Sequence, residues 1–233
     1  MREQNDVITL PGAPEVSVQV RRSARARRLA LKVSRLDGSV VLTLPKGASM
    51  RLAQGFVSER QDWLREALRG VEGPVAVELG AQIPFEGVLR RITAADLRHA
   101  QLDGEALLVP QARAAASVQA FMTLSARDRL AARVAVHTQA LGRRAGKLTL
   151  RDTRSRWGSC TPAGDLMFSW RLVMTPPAIL DYVAAHEVAH LAQMNHSPAF
   201  WAVVARLYPD YAEARSWLKT HGAALHRYRF DAT

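Results

Sequence analysis

The sequence has almost none of the features that mark secreted or membrane proteins. A single cysteine, Cys160, occurs among 233 residues, so no disulfide can form within the chain. A reducing compartment is therefore the simplest interpretation. No stretch approaches the roughly 18 uninterrupted apolar residues of a membrane-spanning helix. The first residues, MREQNDVITL, lack the apolar run that follows the basic start of a signal peptide. We expect a cytoplasmic protein that does not associate with a membrane.

Lysine is also rare, because 28 of the 32 basic residues are arginine. The formal net charge is +11 and the sequence pI is about 10.9. This balance favours anionic partners, which makes nucleotides and nucleic acid candidate ligands. An arginine- and alanine-rich composition also arises in a GC-rich genome without selection for binding, and most basic surface charge is simply solvated. The charge by itself therefore indicates no function.

The N-terminal part of the chain has the pattern of short strands. Residues 6–45 include an alternating apolar segment, 29–33, which a predicted hairpin turn at Asp37-Gly38 joins to a second apolar segment, 40–44. A helix is predicted from Ser49, a suitable N-cap, to about Leu68. Residues 74–110 return to short strands, which glycines interrupt. With 48% hydrophobic residues, the whole chain can form one large core or two small ones.

From about residue 111 the pattern becomes mostly helical. A long helix is predicted to end near Leu141, with Gly142 as its C-terminal cap. Further elements are predicted as strands at residues 147–151 and 165–170 and as helices at residues 176–194, 197–207 and 210–221. Thr175 and Pro176 have the residue types of a cap and a first helical position. The sequence thus predicts an α+β protein, with a strand-rich region carrying one helix at residues 1–110 and a catalytic domain at residues 111–233.

The chemistry concentrates in the segment His186-Glu187-Val188-Ala189-His190. Helical residues four apart project from one face, so His186 and His190 can hold one metal ion. Glu187 lies about 100° further round, where it can reach a water molecule beside the ion without binding the ion itself. The surrounding residues are apolar on nearly every side, as in a buried helix. The alternative is a pair of core histidines bonded to backbone carbonyls.

His196 is the predicted third ligand, although a continuous helix would carry it away from His190. Asn195 tolerates the conformation that ends helices, and Ser197-Pro198 can begin another helix, so His196 lies at a corner. Three imidazoles leave one position of a tetrahedral zinc open, which is typical of a catalytic site with one Zn²⁺. Other candidates for the third ligand are Glu213, His221 and His226, for which a surface role is the usual one.

Several separated motifs resemble those of the YgjP-like metal-dependent hydrolases, which are zinc metallopeptidases related to SprT-type proteases. These motifs are Arg154-Ser155-Arg156-Trp157-Gly158-Ser159-Cys160, Phe168-Ser169-Trp170-Arg171-Leu172, Asp181-Tyr182-Val183, His186 to His190, Asn195-His196-Ser197 and Phe200-Trp201. The hairpin of residues 21–44 is similar to the family's N-terminal part. Ser169 departs from the pattern, since asparagine is often expected there.

The resemblance implies a zincin-like catalytic domain with a small sheet and an active-site HExxH helix. It also implies that His186, His190 and His196 bind zinc and that Glu187 is the catalytic base. Arg154 and Arg156, together with Tyr182, are candidates for substrate binding or for stabilising negative charge. The alternative is that these arginines form structural ion pairs with Asp152, Asp165 or Asp181. Cys160 is expected to be a buried, inert thiol.

Three functions are compatible with these residues. The first is a metallopeptidase that cleaves a peptide substrate. The second is a metal-dependent nucleoside triphosphate pyrophosphatase at the same site, which the arginines and the positive charge make credible. The third is a nucleic-acid-binding protein with a structural zinc, based on the basic run of residues 21–28.

Overall fold

The computed structural model describes residues 6–12, 14–34, 38–69 and 73–230. The chain divides into two compact units, an N-terminal unit of Met1–Pro74 and a C-terminal unit of Val75–Thr233. Among the helices of the described residues, none combines the length and the apolar character needed to cross a membrane. Each unit has its own hydrophobic core.

The N-terminal unit is a four-stranded sheet with two helices. Its elements are β1 (Asp6–Leu10), β2 (Val16–Ser23), β3 (Ala30–Val33), β4 (Val40–Pro45), α1 (Met50–Glu59) and α2 (Gln61–Leu68). The strand order is β1-β2-β4-β3, in which β2 and β4 are parallel and the outer pairs are antiparallel. Alternate residues are buried in β2 up to Val20 and throughout β4, so Val18 and Leu42 share one core with Val57 and Leu64 of the helices.

The sequence predicted this unit well, with one difference in the helix. The predicted hairpin is present as β3 and β4, and Gly38 has the positive φ of a turn residue, while Asp37 lies outside the described residues. Ser49 caps α1, since its Oγ accepts a hydrogen bond from the Leu52 N–H at 3.2 Å. The single helix expected to reach Leu68 is instead broken at Arg60, whose φ of −109° and ψ of 14° are not helical.

The C-terminal unit combines three small sheets with four helices within its described part. Its elements are β5 (Val75–Ala76), β6 (Gln82–Phe85), β7 (Val88–Ala94), β8 (Gln101–Asp103), β9 (Ala106–Val109), α3 (Ala114–Leu141), β10 (Leu148–Arg151), β11 (Gly158–Cys160), β12 (Leu166–Ser169), α4 (Pro177–Ala189), α5 (Pro198–Leu207), α6 (Tyr211–His221) and β13 (Tyr228–Arg229). The sheets have the orders β6-β7-β9-β8, β10-β12-β11 and β13-β5. The predicted α+β class is confirmed.

The strands before residue 110 pack with the helices that follow them. Ile83 and Leu107 belong to the same buried cluster as Met122 of α3 and Val183 of α4. The chain therefore changes from strands to helices near residue 110, but its two compact units meet in sequence between Pro74 and Val75. The division into a strand-rich region at residues 1–110 and a catalytic domain at residues 111–233 stays a prediction.

Helix α4 is held against α3 by a network around one carboxylate. The Arg133 guanidinium donates to Asp181 at 2.8 and 2.7 Å, and His137 Nε2 lies 2.6 Å from Asp181 Oδ1. Partial burial alone would raise the pKa of Asp181, but the hydrogen bonds from His137 and Arg133 outweigh it and hold that pKa below its usual value. This network anchors α4 five residues before His186.

Candidate metal centre

Helix α4 carries the central motif and is buried on nearly every side. Its buried residues are Ile179, Leu180, Tyr182, Val183, Ala184, Ala185, Glu187, Val188 and Ala189. The helix begins at Pro177 with Pro176 as its N-cap, one residue later than predicted, because the Thr175 hydroxyl donates to the Leu172 carbonyl at 2.7 Å instead of capping α4. The sequence therefore located the helix correctly and its first residue only approximately.

The end of α4 differs more from its predicted position than the start does, and the earlier end allows the three histidines to come together. The helix was predicted to continue through Met194, but it ends at Ala189, and His190 is its C-cap. The chain turns through residues 190–197 before α5 begins at Pro198, where Ser197 Oγ accepts a hydrogen bond from the Phe200 N–H. Because α4 ends early, His196 can return to the face from which His186 projects.

Three imidazole rings converge at this turn. His186 Nε2 and His196 Nε2 lie 3.2 Å apart, and one nitrogen from each of His186, His190 and His196 lies within 4.8 Å of the others. Zinc–nitrogen bonds of about 2.0–2.1 Å in a tetrahedron would place two ligand nitrogens about 3.3 Å apart. The separation of the first two nitrogens matches this geometry. The triad is thus able to hold a metal ion.

The rings are oriented by contacts behind them. His190 Nδ1 lies 3.0 Å from the Gln193 carbonyl oxygen, an arrangement that leaves Nε2 of the same ring for a metal. The ring of Phe200 stacks on His190 with 4.4 Å between centroids, and it contacts His186 and His196 edge-on. The first turn of α5 therefore supports all three imidazoles from one side.

The surroundings of His186 and His190 favour binding of a metal ion over binding of a proton. Burial, with smaller effects of His190, His196 and Arg215 in the same direction, lowers the pKa of His186 to about 3. Burial also lowers the pKa of His190. Both rings are therefore neutral at pH 7 and keep a lone pair for coordination. A set of neutral imidazoles is one that zinc favours, so these residues fit such an ion.

Glu187 is buried beside the triad and lies against a glycine of β11. It is 5% exposed, and burial raises its pKa to about 8, against the opposing effect of Arg156. A Cβ placed on Gly158 would lie 2.5 Å from Glu187 Oε1 and 2.7 Å from Cδ, so only glycine leaves room for this carboxyl group. Gly158 was not among the predicted site residues, although a glycine inside a strand often marks such a close approach.

The candidate substrate-binding residues have different positions. Tyr182 is buried with its ring 6.0 Å from that of His186, and burial raises its pKa to about 12, so its hydroxyl remains a donor. Arg154 and Arg156 are exposed in the segment between β10 and β11, and the charge of Arg156 acts on Glu187. Asp152 and Asp181, which were possible partners of these arginines, form ion pairs with Arg171 and Arg133.

The alternative third ligands lie elsewhere in the described part of the chain. Glu213 is exposed on α6, and His221 Nδ1 lies 3.0 Å from the Trp217 carbonyl oxygen. The surface position expected for His226 is wrong, because its ring is buried against Trp157. None of them belongs to the cluster of possible ligand atoms among the described residues. Cys160 was expected to be buried but is only partly buried. Its burial raises the pKa of the thiol, with smaller effects of Glu187 and Asp165, which agrees with an inert thiol.

Comparisons with known proteins relate the sequence to one family. Residues 27–221 match the family described as "YgjP-like, metallopeptidase domain", and this range includes the three histidines and Glu187. No curated protein matches the chain. Among solved structures, the metallopeptidase zymogen of Pyrococcus abyssi abylysin is 20% identical, over 39% of this chain and 92% of that chain, with a TM-score of 0.37.

Proposed function

The chain belongs to the YgjP-like metallopeptidase family, and on that premise we propose that it is a zinc-dependent peptidase. In this proposal His186, His190 and His196 hold one zinc ion and Glu187 is the catalytic base. The observation that carries the proposal is the convergence of three imidazole nitrogens within 4.8 Å beside a buried carboxyl group. Only three protein ligands converge within the described residues, which favours a catalytic site over a closed structural one.

Each residue around the triad has a separate role in the proposed peptide hydrolysis. Zinc bound there would polarise the attacked carbonyl and lower the pKa of water to about 7. Glu187 takes the proton of the attacking water and passes it to the leaving nitrogen. The protonated hydroxyl of Tyr182 and the guanidinium group of Arg154 or Arg156 are candidates for stabilising the developing oxyanion.

An extended peptide can be aligned by strand β11. This strand is at the edge of its sheet and pairs with β12 on one side. A substrate that adds to the open edge would gain backbone hydrogen bonds whatever its sequence. Gly158 belongs to β11 and lies against Glu187, so pairing with β11 brings the substrate backbone to the catalytic carboxyl group. This alignment favours a peptide over a nucleotide as the substrate.

The proposal is tested by offering the zinc-loaded protein two classes of substrate. We expect the full-length protein to cut unfolded casein into fragments that mass spectrometry detects, and a chelator to abolish the cutting. A panel of nucleoside triphosphates is assayed for pyrophosphate release under the same conditions. Release of pyrophosphate without cleavage of casein would contradict the proposed peptidase function and support the hypothesis of a pyrophosphatase at the same site.

Replacement of Gly158 by alanine is expected to lower kcat/KM for peptide cleavage by about ten- to a hundredfold. The added methyl group would lie 2.5 Å from Glu187 Oε1, so the carboxyl group must move by about an ångström, which is enough to impair a positioned base. The matched control is Ser159→Ala, since neighbouring side chains of a strand point to opposite faces. Full activity of G158A with unchanged zinc content would contradict this account of Glu187.

A further inference from the structure

A pocket adjoins the triad on the side of His190, and we call it the arginine pocket. It has a volume of about 330 Å³ and is formed by three connections of the C-terminal unit. Its lining residues are Arg143, Arg144, Thr161, Pro162, Ala163, Gly164, His190, Leu191, Ala192 and Met194. The two arginines are the charged residues of this set, so the pocket carries positive charge at neutral pH.

The backbone that carries the two arginines is well fixed. Gly142 ends α3 in the left-handed conformation, with a φ of 68°, and the Arg143 N–H donates to the Thr138 carbonyl at 3.1 Å. The Gly146 N–H donates to the Gly164 carbonyl at 2.9 Å, which ties this connection to the turn between β11 and β12. Both arginines are exposed, and neither forms a salt bridge with a described residue.

The arginine pocket lies a short distance from Glu187, measured along β11, the strand proposed to align the substrate. Gly158 marks the position of Glu187 on β11, and Thr161, three residues later, lines the pocket. At about 3.3 Å per residue this separation is about 10 Å. A peptide paired with β11, with its scissile bond at Glu187, would therefore bring a side chain two or three residues away to the pocket.

We propose that the arginine pocket is a specificity subsite for a carboxylate of the substrate, an aspartate or glutamate two or three residues from the scissile bond. This inference rests on the proposed peptidase function. Guanidinium groups bind carboxylates with paired, charge-assisted hydrogen bonds, and two exposed guanidinium groups that form no salt bridge with a described residue provide that chemistry. Leu191 and Met194 supply an apolar flank for the methylene groups of such a side chain.

The subsite is tested with matched peptides that differ only in charge. A peptide cut by the wild type is synthesised with glutamate or glutamine at each of three positions on either side of the scissile bond. We expect glutamate to raise kcat/KM about tenfold or more at one position, the size expected for a hydrogen bond to a charged group. The double variant R143Q/R144Q should lose this preference, whereas R98Q/R127Q, which removes two exposed arginines outside the pocket, should keep it.

A binding experiment separates failure of this inference from failure of the proposed function. Full-length, zinc-loaded E187Q is titrated with fluorescent forms of the same peptides, so that affinity is measured without cleavage. Tighter binding of the glutamate peptide that depends on Arg143 and Arg144 would support the subsite even if the wild type cut no peptide. Equal binding of both peptides would overturn it. Tight displacement by inorganic pyrophosphate, with no preference among peptides, would assign the pocket to phosphate and overturn it as well.

Discussion

Replacing His196 by alanine is expected to weaken zinc binding by more than about a hundredfold and to abolish peptide cleavage. Loss of a residue that merely orients a ligand costs 10- to 100-fold in metal affinity, and loss of one of three ligands should cost more. His196 is the exposed member of the triad, so alanine there should leave folding intact. Zinc content is measured by elemental analysis, and affinity by competition with a chromophoric chelator.

The control for this change is His221→Ala, because His221 is also exposed and lies outside the triad. It should bind one zinc ion per chain, like the wild type, and cleave peptides at the same rate. Wild-type zinc affinity in H196A would show that another residue completes the site. In that case the proposed role of the turn between α4 and α5 would be wrong.

Replacing Glu187 by glutamine is expected to lower kcat for peptide cleavage by about 10³-fold while zinc binding is unchanged. Glutamine has nearly the same shape but cannot take a proton, and general base catalysis contributes about 10²- to 10⁴-fold. Glu187 is buried, and its pKa of about 8 shows that burial disfavours the ionised form. The neutral amide should therefore not weaken folding, and thermal denaturation checks this point.

The matched control is Glu213→Gln, which removes an exposed carboxylate on α6. It should leave kcat, zinc content and thermal stability unchanged. If E187Q kept activity within a few-fold of the wild type, Glu187 would not be the base, and hydrolysis would need another proton acceptor. Low activity of E187Q with low zinc content would instead indicate that the substitution disturbs the metal site.

The residues after α6 are connected to the strand that carries Gly158. Arg171 donates to both carboxylate oxygens of Asp152 and to the carbonyl oxygens of Leu225 and Tyr228. The end of the described chain is thus tied to the segment that leads from β10 into β11. The ring of His226 packs against Trp157, the residue before Gly158. The position of Gly158 against Glu187 therefore depends on contacts over more than 50 residues of sequence.

The candidate ligands were predictable because they belong to one short segment. The spacing of His186 and His190 follows from the period of a helix, and the residues around His196 indicate a turn. The long helix α3 and its cap at Gly142 were predictable for the same reason, since propensity and capping act within a few residues. The end of α4 was predicted five residues too late, because apolar residues up to Met194 continue the pattern after the helix has ended.

Local sequence by itself determined the helix with its two histidines and glutamate, the turn that follows it, and the α+β class of the fold. The tertiary structure decided three contacts. Gly158 leaves room for Glu187, and Arg143 and Arg144 line the same pocket as His190. Arg171 binds residues near the end of the described chain. The physical reason is the sequence separation over which each interaction acts. Helical period and capping act over a few residues, whereas these contacts join segments up to 57 residues apart, whose approach depends on the packing of the whole unit.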